Sequence, residues 1–336
     1  MRRKPLSFLL LFFVTLGVML LSVCIGSVSI PLEDTLRILL GRQTSATTMG
    51  SILLKVRLPR VLCVTLEGAS LSLCGAAMQG LLRNPLADGS TLGVSSGASL
   101  GAATAILLGF TLPGFSGSGT MVMAMVFAFG SLVLILTLSW WLDHSMATNS
   151  IILIGVIFSM FVTAIMSLLV TFSGEKLRTI TFWTMGSLAS STYDNALILL
   201  LFLLAGCAIL TSCAGALNAF SLGEEQAQHL GVPVKGVKLI VMITVSVIIG
   251  VCVSIGGGIS FVGLVTPHML RMLLGPDHHT LLPASVFGGA IFLLLCDLIA
   301  RTLLSPIELP ISVVTSMIGA VVFVIIFART RKRRET

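Results

Sequence analysis

Residues 78–99 read MQGLLRNPLADGSTLGVSSGAS, a break between two long apolar runs. Apolar residues stop at Leu82, and Arg83-Asn84-Pro85-Leu86-Ala87-Asp88-Gly89 follows before small residues take over. Pro85 disfavours a helical Asn84, so the preceding helix ends there. Asp88-Gly89-Ser90-Thr91 then offers several capping side chains for the next helix. The stretch reads as a tight turn joining two helices that lie in an apolar medium.

The rest of the chain supplies that medium. Of its 336 residues, 56% are hydrophobic and only 10% charged, and the mean hydropathy is +1.08. Soluble domains carry roughly a quarter charged residues, so this chain has too little polar surface to enclose itself in water. A helical span takes about 20 mostly apolar residues. Reading the runs against their breakers places ten spans, at 6–28, 61–82, 92–110, 119–141, 151–172, 195–217, 237–255, 259–274, 284–300 and 311–328. The expected fold is an all-α polytopic membrane protein with a single transmembrane domain over 1–336. The first run, Leu6 to Cys24, is 19 residues long with no A-x-A after it. A signal core is about 7–15 residues, so this run reads as a retained span. Seven cysteines without a CxxC and five histidines without a ligand spacing indicate neither a disulfide framework nor a metal site.

Small residues recur every fourth position on both sides of the opening turn: Gly68, Ser72, Ala76 and Gly80 before it, Gly97, Gly101, Ala105 and Gly109 after it. Residues four apart share a helix face, and such faces let helices approach closely in a membrane. Gly68 to Gly75 also echoes Gly256 to Gly263, which puts Arg83 and Arg271 in register.

Basic residues orient the chain, because cytoplasmic loops hold an excess of Lys and Arg. Arg2, Arg3 and Lys4 at one end, and Arg329, Arg331, Lys332, Arg333 and Arg334 at the other, put both termini inside. Arg83, Lys235, Lys238 and Arg271 join them there. Arg37, Arg42, Lys55, Arg57, Arg60, Lys176, Arg178 and Arg301 fall outside. Two readings of that outer group stay open: cations snorkelling at span ends, or a basic surface that receives an acidic partner.

A second informative loop lies within 218–236. Ser221 and Glu224 have capping-box spacing, Gly231 and Pro233 supply a stop, and Gly223, Ala227 and Leu230 fall on one face of the short helix between. A helix this short needs something to pack against. Glu67 is the clearest acid inside a span, and intramembrane acids are costly and usually functional. None of the six lysines is followed by Ser or Thr, so the chain has no P-loop. If transport is driven by ATP, a partner hydrolyses it. A proton-coupled carrier using Glu67 and a membrane scaffold without transport are the competing classes.

These features converge on one family. The chain resembles the FecCD permeases, the membrane subunits of ATP-binding-cassette (ABC) importers for iron–siderophores, haem and cobalamin. The resemblance rests on Arg57-Leu58-Pro59-Arg60, on Gly75-x-x-Met78-Gln79-Gly80 with Asn84-Pro85-Leu86-Ala87, and on Leu92-Gly93-Val94-Ser95-Ser96-Gly97-Ala98. It continues through Leu222-Gly223-Glu224, Gly263-Leu264-Val265-x-Pro267-His268-x-x-Arg271 and Glu308-Leu309-Pro310-Ile311.

The resemblance implies ten spans per subunit in the bacterial cytoplasmic membrane, and two permeases, identical or paralogous, assembled with two ATPase subunits. It implies no catalytic residue, metal or cofactor in this chain, ATP and Mg being held by the ATPase, and no nucleic-acid partner. An extracytoplasmic binding protein would deliver the substrate, most simply a ferric siderophore, and dock on Arg57, Arg60 and Arg301. Asn84, Pro85 and Leu86 would form the cytoplasmic gate together with Thr148 and Asn149. Gly223, Glu224, Ala227, Leu230 and Gly231 would form the coupling helix that meets the ATPase. Phe182 to Gly186 resembles a short helix near the outer gate. Glu67 departs from the family pattern. It reads either as a neutral acid hydrogen-bonded between helices or as a group that meets a metal chelate or carries a proton.

Overall fold

The computed structural model describes residues 4–26, 30–40, 48–111, 118–144 and 148–335. Its described residues form ten apolar helices: α1 Lys4–Cys24, α2 Leu58–Leu81, α3 Val94–Leu108, α4 Ser118–Leu142, α5 Thr148–Thr171, α6 Tyr193–Ser212, α7 Val234–Gly256, α8 Val262–Leu274, α9 His278–Thr302 and α10 Ile311–Glu335. Seven are long and apolar enough to cross a bilayer; α3, α8 and the apolar part of α10, Ile311–Ile325, are shorter. A helix stands at each of the ten expected spans, with edges that differ: α1 ends at Cys24 instead of residue 28, and α9 begins at His278 instead of residue 284. The sixth is cut at Cys213, beyond which Ala214–Phe220 is a separate helix. The seventh and eighth are parted at Gly257 (φ +74°), and the chain turns again at Phe261 (φ +69°).

Helix α2 is the axis of the bundle. A π turn over Leu53–Arg57 joins it to Thr48–Ile52, and the continuous rod Met49–Leu81 has 83% of its most apolar window buried, against 17% for α1 and α5. It packs against α9, α8, α7 and α6. The line of small residues makes this possible: a Cβ at Gly75 would collide with the backbone of Gly263 in α8, and one at Gly68 with the carbonyl of Gly289 in α9. Backbones that touch gain packing energy where lipid offers no hydrophobic drive. Thr266 of α8 donates to the Ser72 hydroxyl at 2.6 Å, so the same face also satisfies buried hydroxyls.

The start of α3 differs from expectation. A 3₁₀ turn over Gly89–Leu92 intervenes, and the N-cap is Gly93 (φ +74°), with no side-chain bond to the helix. Asp88 instead accepts from the next backbone N–H, that of Gly89, at 2.7 Å.

Connections gather at two ends. The turn after α2, the start of α5 and the 218–236 segment share one end, tied by Thr148 to Glu224 and Lys235 to His144. At the other, Leu177–Thr184 and the turn behind it are held by backbone bonds from Ser187 N–H to Gly256 O, Ile311 N–H to Gly186 O and Ser312 N–H to Met185 O.

Candidate functional site

At the 218–236 end, the turn after α2 is built by Asn84. Its side-chain oxygen accepts from the Leu86 N–H at 2.9 Å, and its carbonyl accepts from the Ala87 N–H at 3.0 Å. Ala87 is buried, whereas Pro85 and Leu86 are exposed. This geometry is an Asx turn, in which a side chain replaces a backbone acceptor. Asn84 therefore shapes the turn, and Pro85 and Leu86 present its outer surface.

The short helix is present as Glu224–His229, flanked by Gly223 (φ +122°) and Gly231 (φ +85°). The capping box is not formed, because the Ser221 hydroxyl donates back to the Asn218 carbonyl at 2.6 Å. Glu224 is recruited elsewhere. It accepts from Lys238 Nζ of α7 at 2.6 Å and from the Thr148 hydroxyl of α5 at 2.9 Å. Burial opposes ionisation of Glu224, but the Lys238 ammonium and the Thr148 hydroxyl outweigh it and hold the carboxyl below its ordinary value. Of the expected packing face, Ala227 is buried and Leu230 is 65% exposed. Leu230 follows the last helical residue and turns outward instead of inward.

Leu81, Leu82, Arg83, Thr148, Asn149 and Glu224 line one cavity of about 180 Å³. The structure thus joins two groups of residues that the sequence had listed apart: the start of α5 and the short helix. Lys238, which completes the connection, was counted in the sequence only as a basic residue. Its signal was a cation at the edge of an apolar run, and here it is only 4% exposed.

At the opposite end, Arg57, Arg60 and Arg301 are interior, 4–5% exposed, so the expected basic outer surface is not made by these three. The reason is that carboxylates of the same chain reach Arg60 and Arg301, and backbone carbonyls at the end of α1 reach Arg57. Arg60 donates to Asp297 Oδ1 at 2.8 and 3.0 Å and to both oxygens of Glu308 at 2.9 and 3.0 Å. Arg301 lies 3.3 Å from Asp297 Oδ2 and donates to the Ser22 hydroxyl at 2.9 Å. Arg57 donates to the carbonyls of Val23 and Cys24, each at 3.1 Å. Three guanidiniums, two carboxylates and the C-terminal end of α1 gather there, with the Glu308 side chain 43% exposed.

Glu67 is fully buried in α2, and neither of its carboxyl oxygens has a hydrogen-bond partner among the described residues. The expected interhelical bond is absent because the carboxyl faces the bare Cα of Gly256, whose carbonyl already accepts from Ser187. An ionised carboxylate without donors would be prohibitively costly there. Glu67 lies directly beneath the junction that holds the Leu177–Thr184 helix.

Residues 11–329 match the profile of the FecCD transport family. The hemin transport system permease protein HmuU of Yersinia pestis is 37% identical over 335 residues, 99% of this chain and 98% of the relative. The molybdate import system permease protein MolB of Haemophilus influenzae is 36% identical over 317 residues, 93% of this chain and 92% of the relative. A solved inward-facing conformation of a metal-chelate type ABC transporter superposes with a TM-score of 0.85 at 34% identity, covering 97% of this chain and 99% of that one.

Proposed function

Because this chain belongs to the FecCD transport family, a family of ABC importer permeases, we propose that it carries an iron chelate, first a ferric siderophore, into the bacterial cytoplasm. Haem and cobalamin are the next candidates. The relative named for molybdate widens the family's range to an oxyanion that sequence reading had left out. In this reading two ATPase subunits supply ATP and Mg²⁺ chemistry and meet the 218–236 end, which faces the cytoplasm with both termini. A second copy or a paralogue completes the path, and an extracytoplasmic binding protein delivers the cargo.

One observation carries the reading. Glu224, in the short helix exposed to a partner, is bonded both to α5 at Thr148 and to α7 at Lys238. A push on Glu224–His229 is therefore passed to the start of α5 and to the cavity beside Leu82 and Arg83, where the gate turn begins. A lone helix of six residues would dissipate that push; one clamped by a charge-assisted bond transmits it. Asn84, Pro85, Leu86, Thr148 and Asn149 act as the gate, and Gly223, Glu224, Ala227, Leu230 and Gly231 as the coupling segment. Docking at the opposite end involves Arg57, Arg60 and Arg301 indirectly: an acidic side chain of the binding protein reaches Arg60 by displacing Glu308. Proton-driven transport through Glu67 is disfavoured, since a relay needs a neighbouring acceptor and the carboxyl has none among the described residues.

The test is reconstitution. The purified chain alone in liposomes is expected to be idle, and uptake is expected only with a co-purified P-loop ATPase, a binding protein and ATP. Uphill accumulation by the chain alone would refute the reading.

A further inference from the structure

A cavity of about 530 Å³ opens at the 218–236 end between the end of α2, the Ala214–Phe220 helix and the turn between α8 and α9. Arg83 and Arg271 both line it. They are the two arginines that the internal echo places in register, and the fold brings both to one cavity. Neither has an ion pair or hydrogen bond among the described residues; exposed Arg83 lies within electrostatic reach of Glu224, whereas half-buried Arg271 has no carboxylate bonded to it. Asp277, the carboxylate lining the cavity, is already engaged: it accepts from Asn218 at 2.9 Å, from the His279 N–H at 3.1 Å and from Thr280 at 3.2 Å. Half-buried Arg271 lies instead within electrostatic reach of His268 and His278, which bring it no negative charge.

A half-buried guanidinium without an anion is an unfinished arrangement, because a buried charge is tolerated when paired. A planar guanidinium is suited to forked binding of an oxyanion. The rim argues for a protein donor of that anion. Leu86, beside lining residue Pro85, is 51% exposed, and Leu222, beside lining residue Ser221, is 58% exposed. Apolar side chains around arginine anchors have the make-up of a protein interface. The wall formed by Asn218 and Ser221 also leads directly into the Glu224–His229 helix.

We propose that this cavity is a second contact for the ATPase subunit, separate from the coupling helix, in which an Asp or Glu side chain of the ATPase is clamped between Arg83 and Arg271. The proposal rests on the transporter reading above. It gives each ATPase two attachment points on the permease, one moving with α5 and α7 and one fixed to α2 and α8.

The experiment uses the permease–ATPase complex in lipid nanodiscs. Arg83→Gln with Arg271→Gln is expected to weaken ATPase binding about tenfold or more, with the loss greatest at low salt, whereas Lys176→Gln at the opposite end leaves it unchanged. Arg83→Lys and Arg271→Lys keep the charge and supply an amine. A zero-length carbodiimide then joins that amine to a contacting carboxylate, and mass spectrometry is expected to map the amide to an Asp or Glu of the ATPase. Unaltered affinity in the double variant overturns the contact, as does an amide formed only to Asp277. It is equally overturned if the double variant loses bound phosphatidylglycerol but holds the ATPase normally. If no ATPase accompanies even the unsubstituted chain, the transporter reading itself falls, an outcome distinct from loss confined to the arginine variants.

Discussion

Truncating Arg60 would leave Asp297 wholly buried with only the side-on Arg301 contact. Breaking a buried ion pair by removing one partner typically costs about 3–5 kcal/mol, since the surviving charge stays desolvated. Arg60→Ala is therefore expected to destabilise the purified chain by that order, read as a lowered thermal midpoint in detergent. A drop no larger than that of an exposed substitution such as Arg37→Ala would mean that the network contributes little. Glu67 and Gly256 make the second residue-scale case. A methyl at position 256 has no room against the Glu67 carboxyl, and overpacking costs about 1–3 kcal/mol. Gly256→Ala should be destabilising alone and much less so with Glu67→Ala. A double-mutant cycle measures that coupling, and strict additivity would contradict the contact.

At the scale of elements, the short helix Glu224–His229 depends on one titratable bond. The Glu224 carboxyl is held below its ordinary value of 4.5 in the folded chain. A depressed folded value means that the stabilisation is present above the unfolded value and lost as pH falls through the folded one. Attachment of the helix to α5 and α7 is thus expected to be intact at neutral pH and to loosen only in acid, below about pH 4.5. Hydrogen exchange of the 224–230 amides, followed from pH 7 to pH 3.5, reads this directly. Glu224→Gln should remove the acid step while weakening protection at neutral pH. An acid step of the same size in that variant would assign it to another group.

Across the whole molecule, one heavily buried helix is surrounded by helices that expose apolar faces. Leu153, Met160 and Phe161 of α5 are each at least 60% exposed, which suits contact with lipid or a second permease. The bundle has a dense centre and two connected ends, and the sequence carries no P-loop. This is why the liposome test is decisive at this scale: an isolated chain at equilibrium shifts nothing uphill.

Much of this was legible in the sequence because it depends on local composition. Spans follow from the length of apolar runs, close packing of α2 from glycine and serine at four-residue spacing, and the turn after α2 from Asn84-Pro85. Pairings between distant residues were not legible, because charge and hydrogen-bond partners are chosen by geometry. Arg60 reads as an outer-surface cation until α9 and the loop after it bring Asp297 and Glu308 to it. Glu224 reads as half of a capping box until Lys238 and Thr148 arrive. Glu67 reads either as a hydrogen-bonded acid or as a group that meets a chelate or carries a proton, until it is found facing a glycine. The sequence determined which segments enter the membrane and how closely they pack, since transfer free energy and side-chain size belong to each residue alone. Only the tertiary structure decided which buried charges are neutralised within the chain and which, like half-buried Arg271, have no bonded anion among the described residues, because electrostatic pairing in a low-dielectric interior is settled by distances of a few ångströms.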